Sequence, residues 1–361
     1  INLLDPGKTP HDNIQFLLVL ACILKAVDRH ADLLRESAAD VGNDHRLGAN
    51  EAPPAIVSIF LGDELTAVVD SIINGTNYTE PEKSSIRIGV DVLPSIPKDT
   101  TDRNRTSPLA FTGNKFEFRM LGSSQSVASP NIALNTIMAE ELRQFADVLE
   151  NAKDFDKTLH DLVCQAFTDH QRIIFDGNGY SEEWKQEAKR RGLSNYPSTA
   201  ECLAANTSKK NIELVTRHGI FTEAEFLARQ SIYLQAYNKT VNIEARTMMD
   251  MAMHQILPAA MRYSSELINS ALRKKEAGIT VNTEPQLAAR LSAHIDSLYA
   301  QCEKLRSDLQ TVPEGDQTAA NYFHTVILSD MDALRHEADA LEELTDKTYW
   351  PFPTYSDLLF Y

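Results

Sequence analysis

Residues 104–131 read NRTSPLAFTGNKFEFRMLGSSQSVASPN, and within them KFEFRM (115–120) alternates Phe116 and Phe118 with Lys115, Glu117 and Arg119. Successive strand side chains point to opposite faces. The pattern therefore predicts a half-buried strand, with two rings facing inward and three charges sharing the other face. Upstream, SSIRIGVDVL (84–93) alternates Ile86, Ile88, Val90 and Val92 and predicts another strand. Downstream the period lengthens: Leu134, Met138, Leu142, Phe145 and Leu149 recur at three and four, with Ser129 and Pro130 expected as N-cap and first residue of that helix. Strand signals end there, so the fold class is α+β.

The rest of the chain reads as helix. Asp12 is expected to cap a helix carrying Ile14, Leu17, Leu18, Ala21 and Leu24, apolar nearly all round and hence buried. Near the end, Leu287, Leu291, Ile295, Leu298, Cys302, Leu305 and Leu309 are spaced like a coiled-coil seam. Ile327, Met331, Leu334, Ala338 and Leu341 form a second such series beyond the turn VPEGDQ. We expect an antiparallel helical hairpin over about 285–346. An aromatic tail, 349–361, is expected to pack back, because so many exposed rings would promote association. The domain boundary is placed near residue 140, giving segments 1–140 and 141–361.

Composition narrows the partners. The chain has 361 residues, with 51 acidic side chains against 35 basic ones for a net charge of -16. Such a field repels nucleic-acid phosphates, and no basic patch offsets it. The longest strongly apolar run, Phe16 to Leu24, falls far short of a membrane span. Four widely separated cysteines without a CxxC pair fit reduced thiols and a cytoplasmic location. The first residue is Ile1, which suggests a start within a longer protein.

Several residues could carry chemistry. Glu117 beside Arg119 and Lys115 is either a solvated ion pair or a carboxylate for a hard divalent cation next to an arginine for an anionic substrate. Arg103 and Arg105 lie in a loop that is either solvated or phosphate-binding. His45, Arg46 and Glu51, in a Gly/Pro loop, make either a mobile flap or a polar turn. Gly177 and Gly179 in FDGNGYSEEW lack the rest of a dinucleotide fingerprint and read as a turn. There is no P-loop, HExxH or GxSxG motif.

Together HRLGANEAPPA (45–55), NRTSPLAFTGNKFEFRMLGSSQSVASPN (104–131) and AEEL (139–142) resemble the C-terminal half of a glutamine synthetase catalytic domain. NLLDPGKTPHDNIQFLLVLA (2–21), YNKTVNIEARTMMDMA (237–252) and WPFPTYSDLLF (350–360) are similar to the long type III branch. The resemblance implies that residues 1–140 are the C-terminal part of the catalytic α/β domain and 141–361 a helical C-terminal region. It implies ATP-dependent formation of glutamine from glutamate and ammonium through γ-glutamyl phosphate, with Mg²⁺ or Mn²⁺. Arg46 matches the glutamate-holding arginine and Glu51 the flap carboxylate that takes a proton from ammonium. Arg105 matches a nucleotide-phosphate contact, Glu117 a metal ligand, and Arg119 the arginine at the transferring phosphoryl group and substrate carboxylate. Lys115 stands where commoner forms have an arginine and is expected to keep the phosphate contact; Ala110 stands where those forms place a further one.

The family's other site motifs would precede residue 1, so this chain alone is expected to be inactive. The intact protein is expected to be a homo-oligomer of stacked rings. Two alternatives remain: a related carboxylate-amine ligase with another amine acceptor, and a noncatalytic helical assembly or regulatory module built on the same fold.

Overall fold

A computed structural model describes residues 1–49, 52–79, 85–86, 96–97 and 106–359. They form two compact units, Ile1–Gln230 and Ser231–Tyr361. In chain order the first unit contains helices α1 (Ile14–Arg29), α2 (Ala31–Glu36) and α3 (Val41–Asp44), strand β1 (Ile59–Phe60), and helix α4 (Asp63–Asn74). Strands β2 (Ser85–Ile86), β3 (Ile96–Pro97), β4 (Leu109–Phe111) and β5 (Phe116–Phe118) follow. Helices α5 (Ala128–Glu150), α6 (Phe155–His170), α7 (Glu182–Arg190), α8 (Thr199–Asn206) and α9 (Lys209–Arg217) come next. The division between units falls inside α10 (Glu223–Met251).

As its all-round apolarity dictates, α1 is a central helix. Leu20, Ala21 and Leu24 are fully buried, and α1 packs against α5 and α6. Its cap lies one residue later than expected. Asn13 accepts from the Phe16 amide at 3.1 Å, while Asp12 closes a 3₁₀ turn, Pro10–Asp12. In α5 the first turn starts at Ala128, whose amide reaches the Ser126 hydroxyl at 3.2 Å, so Ser129 is not the cap and Pro130 is the third residue. Of the expected strand 84–93, Ser85–Ile86 pairs antiparallel with Ile96–Pro97, and the remainder lies outside the described residues.

A small mixed sheet carries the site. β1 runs parallel to β4, with Ile59 opposite Leu109 and Phe60 opposite Ala110. β5 folds back antiparallel on β4, setting Glu117 opposite Ala110. Ala110, the position lacking the extra arginine, is fully buried. Phe116 meets Phe111 edge-on with ring centroids 5.2 Å apart, so the aromatic face of β5 turns inward as its alternation requires. Strand content ends with β5, but the core does not: Phe16, Ile59, Leu109, Ile137, Phe167 and Leu214 belong to one hydrophobic cluster. The compact unit runs to Gln230.

Two adjacent carboxylates of α5 pin neighbouring helices. Fully buried Glu141 takes Lys25 at 2.8 Å and Arg29 at 3.0 Å, both from α1. Glu140, also buried, accepts from Arg217 of α9 at 2.7 Å, pairs with His218 at 2.8 Å, and accepts from Arg143 and Gln144 of its own helix. Buried charges persist only when paired in this way.

The second unit comprises the rest of α10 and α11 (Leu257–Glu276), α12 (Thr283–Gln310), α13 (Asp316–Tyr322), α14 (Leu328–Leu344) and α15 (Tyr355–Leu359). α12 packs antiparallel on α14, and Leu291, Leu298, Cys302, Leu305, Ile327, Leu334 and Leu341 bury the expected seam. Gly315, at φ +94°, makes the turn. A π turn, Ala252–Ile256, precedes Pro258, whose ring clashes with the carbonyl four residues back and whose missing N–H cannot close an α turn. A second π turn, Phe323–Ile327, joins α13 to α14. The tail packs as expected at its start, with Trp350 buried and the Tyr349 ring 5.3 Å from that of Tyr263; Leu358 and Leu359 stay exposed.

Candidate functional site

The charged face of β5 is where the alternation places it. Lys115 Nζ lies 3.4 Å from Glu117 Oε1, and Arg119 Nη2 lies 3.1 Å from Glu117 Oε2. The Arg119 hydrogen bond, with help from Lys115, holds the Glu117 carboxyl below the ordinary carboxylate range. Exposure separates the three: the Lys115 side chain is 63% exposed, Glu117 40% and Arg119 16%. Arg119 is thus the embedded cation of the set, while Lys115 reaches into solvent.

Arg46 arrives from the other side, just after α3. Its guanidinium donates to the Met120 carbonyl at 3.0 Å, the Arg119 carbonyl at 3.1 Å and Asn43 Oδ1 at 3.2 Å. Buried Asn43 also donates to the Met120 and Ala38 carbonyls. The exit of β5 is therefore bolted to α3, and the Arg119 amide is tied to the Pro108 carbonyl at 2.7 Å. Beyond Arg46 the chain doubles back: the Gly48 amide meets the Ala52 and Pro53 carbonyls at 3.1 and 3.0 Å, with Gly48 at φ +77°. Glu51, Arg103 and Arg105 lie outside the described residues.

These segments enclose a cavity of about 520 Å³. Arg46, Leu47 and Ala52 to Pro54 line it from one segment, and Ser107, Pro108, Glu117, Arg119 and Met120 from another. Of the expected site residues, the cavity brings together Arg46, Glu117 and Arg119. Lys115 touches it only through Glu117. The volume suits a small molecule, and the cations beside it suit an anionic one.

Tyr180 completes the lining, although no periodic pattern in the sequence marks it. Its turn belongs to the Gly177–Gly179 segment, and the signal was the pair of closely spaced glycines. Neither glycine has positive φ, so space rather than backbone conformation demands them. A Cβ on Gly179 would lie 2.3 Å from the Thr106 carbonyl oxygen, and one on Gly177 would lie 2.5 Å from the Phe175 ring.

Among the described residues no three His, Cys, Asp or Glu side chains cluster to hold a metal ion. Glu117 is an ionised, half-exposed carboxylate on the cavity wall, which fits one oxygen ligand of a hard divalent cation; the six or more that such an ion takes would need donors beyond these residues. No helix among the described residues is long and apolar enough to cross a membrane.

With this geometry in place, likeness to known proteins defines the class first. Residues 158–275 match the glutamine synthetase C-terminal domain. Over 99% of its length the chain is 41% identical to the type-3 glutamine synthetase of Dictyostelium discoideum. It is 38% identical to a glutamine synthetase of Bacteroides fragilis and 36% identical to one of Butyrivibrio fibrisolvens, each over 100% of its length. The chain belongs to the glutamine synthetase family, and its likeness is to the type III branch. It covers 50%, 51% and 52% of these three relatives, so it spans about half the length of the curated relatives it matches.

Proposed function

We propose that the complete protein is a glutamate-ammonia ligase and that this chain supplies one wall of its active site. The observation that carries the reading is the convergence of Arg46, Glu117 and Arg119, drawn from two segments far apart in sequence, on one small-molecule cavity.

The reaction joins anions. A γ-carboxylate oxygen of glutamate attacks the γ-phosphorus of ATP, the bond to the bridging oxygen breaks, and ADP leaves. Ammonia then attacks the acyl carbon of γ-glutamyl phosphate, and phosphate departs with the electrons of the C–O bond. The transferring phosphoryl group gathers charge, and pre-placed cations stabilise it without reorganisation. Arg119, embedded and tethered through its backbone, is suited to that task. Arg46 holds the Arg119 carbonyl and faces the same cavity, so it positions Arg119 and is the group we assign to the amino-acid carboxylate. Lys115 and Arg105 would meet nucleotide phosphates. Glu51 would take the proton that ammonium must lose before it can attack. A divalent cation, Mg²⁺ or Mn²⁺, would neutralise phosphate oxygens when bound, with Glu117 among its ligands.

The remaining groups of the site would come from the rest of the protein and from a neighbouring subunit of a ring-shaped homo-oligomer. The acidic chain and its unpaired thiols support a cytoplasmic enzyme without nucleic-acid or membrane partners. The test is glutamine formation by the complete protein, with glutamate, ATP and ammonium omitted one at a time. The reading expects glutamine only when all three are present. Product with methylamine but not with ammonium would favour a related carboxylate-amine ligase, and no ATP-dependent product with either would favour a noncatalytic assembly module.

A further inference from the structure

The turn that carries Tyr180 is fastened far more firmly than a connecting turn needs. Asp176 accepts from the Leu61 amide at 2.9 Å, the Gly62 amide at 3.3 Å and the Thr66 hydroxyl at 2.6 Å, which ties the turn to the chain entering α4 and to its first turn. The Phe175 amide donates to the Ile59 carbonyl at 2.9 Å, extending the edge of the sheet at β1. Its ring stacks on Trp184 with centroids 3.7 Å apart. Thr106 Oγ1 donates to the Gly177 carbonyl at 3.3 Å, and Gly179 is squeezed between the Thr106 carbonyl and Pro53. The Asn178 side chain accepts from the Tyr180 amide at 3.0 Å, and Ser181 caps α7.

Together these contacts hold the turn, and with it the position from which the Tyr180 side chain projects. Gly179 is buried, yet the next residue, Tyr180, is 41% exposed and faces the cavity. A phenol offers an apolar ring and an O–H donor, with few rotatable bonds to freeze on binding. It shares the cavity lining with Ala52–Pro54, Arg46, Glu117 and Arg119.

We propose that Tyr180 is a substrate-contacting residue of this cavity, its ring walling the carbon chain of the amino-acid substrate and its hydroxyl donating to a substrate oxygen. The assignment rests on the functional reading above and deepens it. The Phe175–Ser181 turn is then a third segment of the site, beside the Arg46 loop and β5.

The test uses the complete protein with Tyr180→Phe and Tyr180→Ala, measuring KM for glutamate and for ATP, kcat, and the thermal midpoint. Tyr180→Ala is expected to raise the glutamate KM about tenfold or more, with Tyr180→Phe between it and wild type, because one lost apolar contact in a pocket costs about ten- to two-hundredfold. The ATP KM and the midpoint are expected to stay near wild type. An unchanged glutamate KM in Tyr180→Ala, or an equal rise for glutamate and ATP with a lowered midpoint in both variants, would overturn the assignment. Should wild type form no glutamine, the functional reading fails first, and titration calorimetry with glutamate still decides. Weaker binding by Tyr180→Ala supports the contact, whereas equal binding, or none by wild type, refutes it.

Discussion

Glu117 and Arg119 stand two residues apart on β5, with Arg119 Nη2 3.1 Å from Glu117 Oε2, and both line the same cavity. The pair keeps an acidic group ionised beside an embedded cation, the combination that a phosphoryl-transfer site requires. Arg119→Ala is expected to lower kcat by about 10²- to 10³-fold, the cost of removing one preorganised charge-stabilising donor. Arg119→Lys should recover only part of it, since an ammonium lacks the planar fork. Steady-state kinetics on the complete protein checks both.

Glu140 gives the fold a dependence on acid. Despite the cost of burial, hydrogen bonds from Arg143, Gln144 and His218 bring its pKa down to about 2. A carboxyl whose folded pKa is depressed stabilises fully above its unfolded value of about 4.3, and that stability drains away as pH falls towards 2. Thermal midpoints of wild type should therefore fall between about pH 4.5 and 2, and Glu140→Gln should flatten that slope. Near neutrality Glu140→Ala is expected to cost about 2–3 kcal/mol, below the usual figure for a broken buried pair because Arg143 and Arg217 are half exposed.

Glu36 has the opposite sign. Burial pushes its carboxyl up to about 7, against the pull of Arg229 and Arg35. The folded state favours the protonated form, so stability is lost as pH rises from the unfolded pKa of about 4.3 through 7. Glu36→Gln should raise the thermal midpoint at pH 8 and leave it nearly unchanged at pH 4.

The helical hairpin rests on its seam. Leu298 and Leu305 are fully buried, and truncating either to alanine should cost about 2–5 kcal/mol. Urea titration of the chain should show an earlier midpoint with an unchanged slope for the affected transition. Leu287→Ala, at a half-buried position of the same series, should cost less.

Residues whose pattern repeats were legible in the sequence. The alternation of KFEFRM gave both the inward rings and the shared charged face, and the three-four spacing gave α1 and the hairpin. Features made by distant partners were not. Glu140 and Glu141 look like an ordinary solvated pair in AEEL, and only folding brings Lys25, Arg29, Arg217 and His218 to them. Asn13 and Asp12 are both good caps, and one residue of chain geometry decides between them. The Gly177–Gly179 turn was legible as a turn, but its purpose depends on Thr106, seventy residues away. Arg46 was legible as a candidate cation, whereas its grip on the Arg119 and Met120 carbonyls belongs to the tertiary structure.

The central claim is that the β5 charges and the Arg46 loop form one wall of a glutamine-forming site. The most direct measurement is γ-glutamyl hydroxamate formation by the complete protein with ATP and Mg²⁺ or Mn²⁺, comparing wild type with Glu117→Gln across a metal titration. We expect metal-dependent activity in wild type and, in Glu117→Gln, a large loss that excess metal partly restores. Full activity of Glu117→Gln at every metal concentration, or a wild type indifferent to metal, would contradict the account.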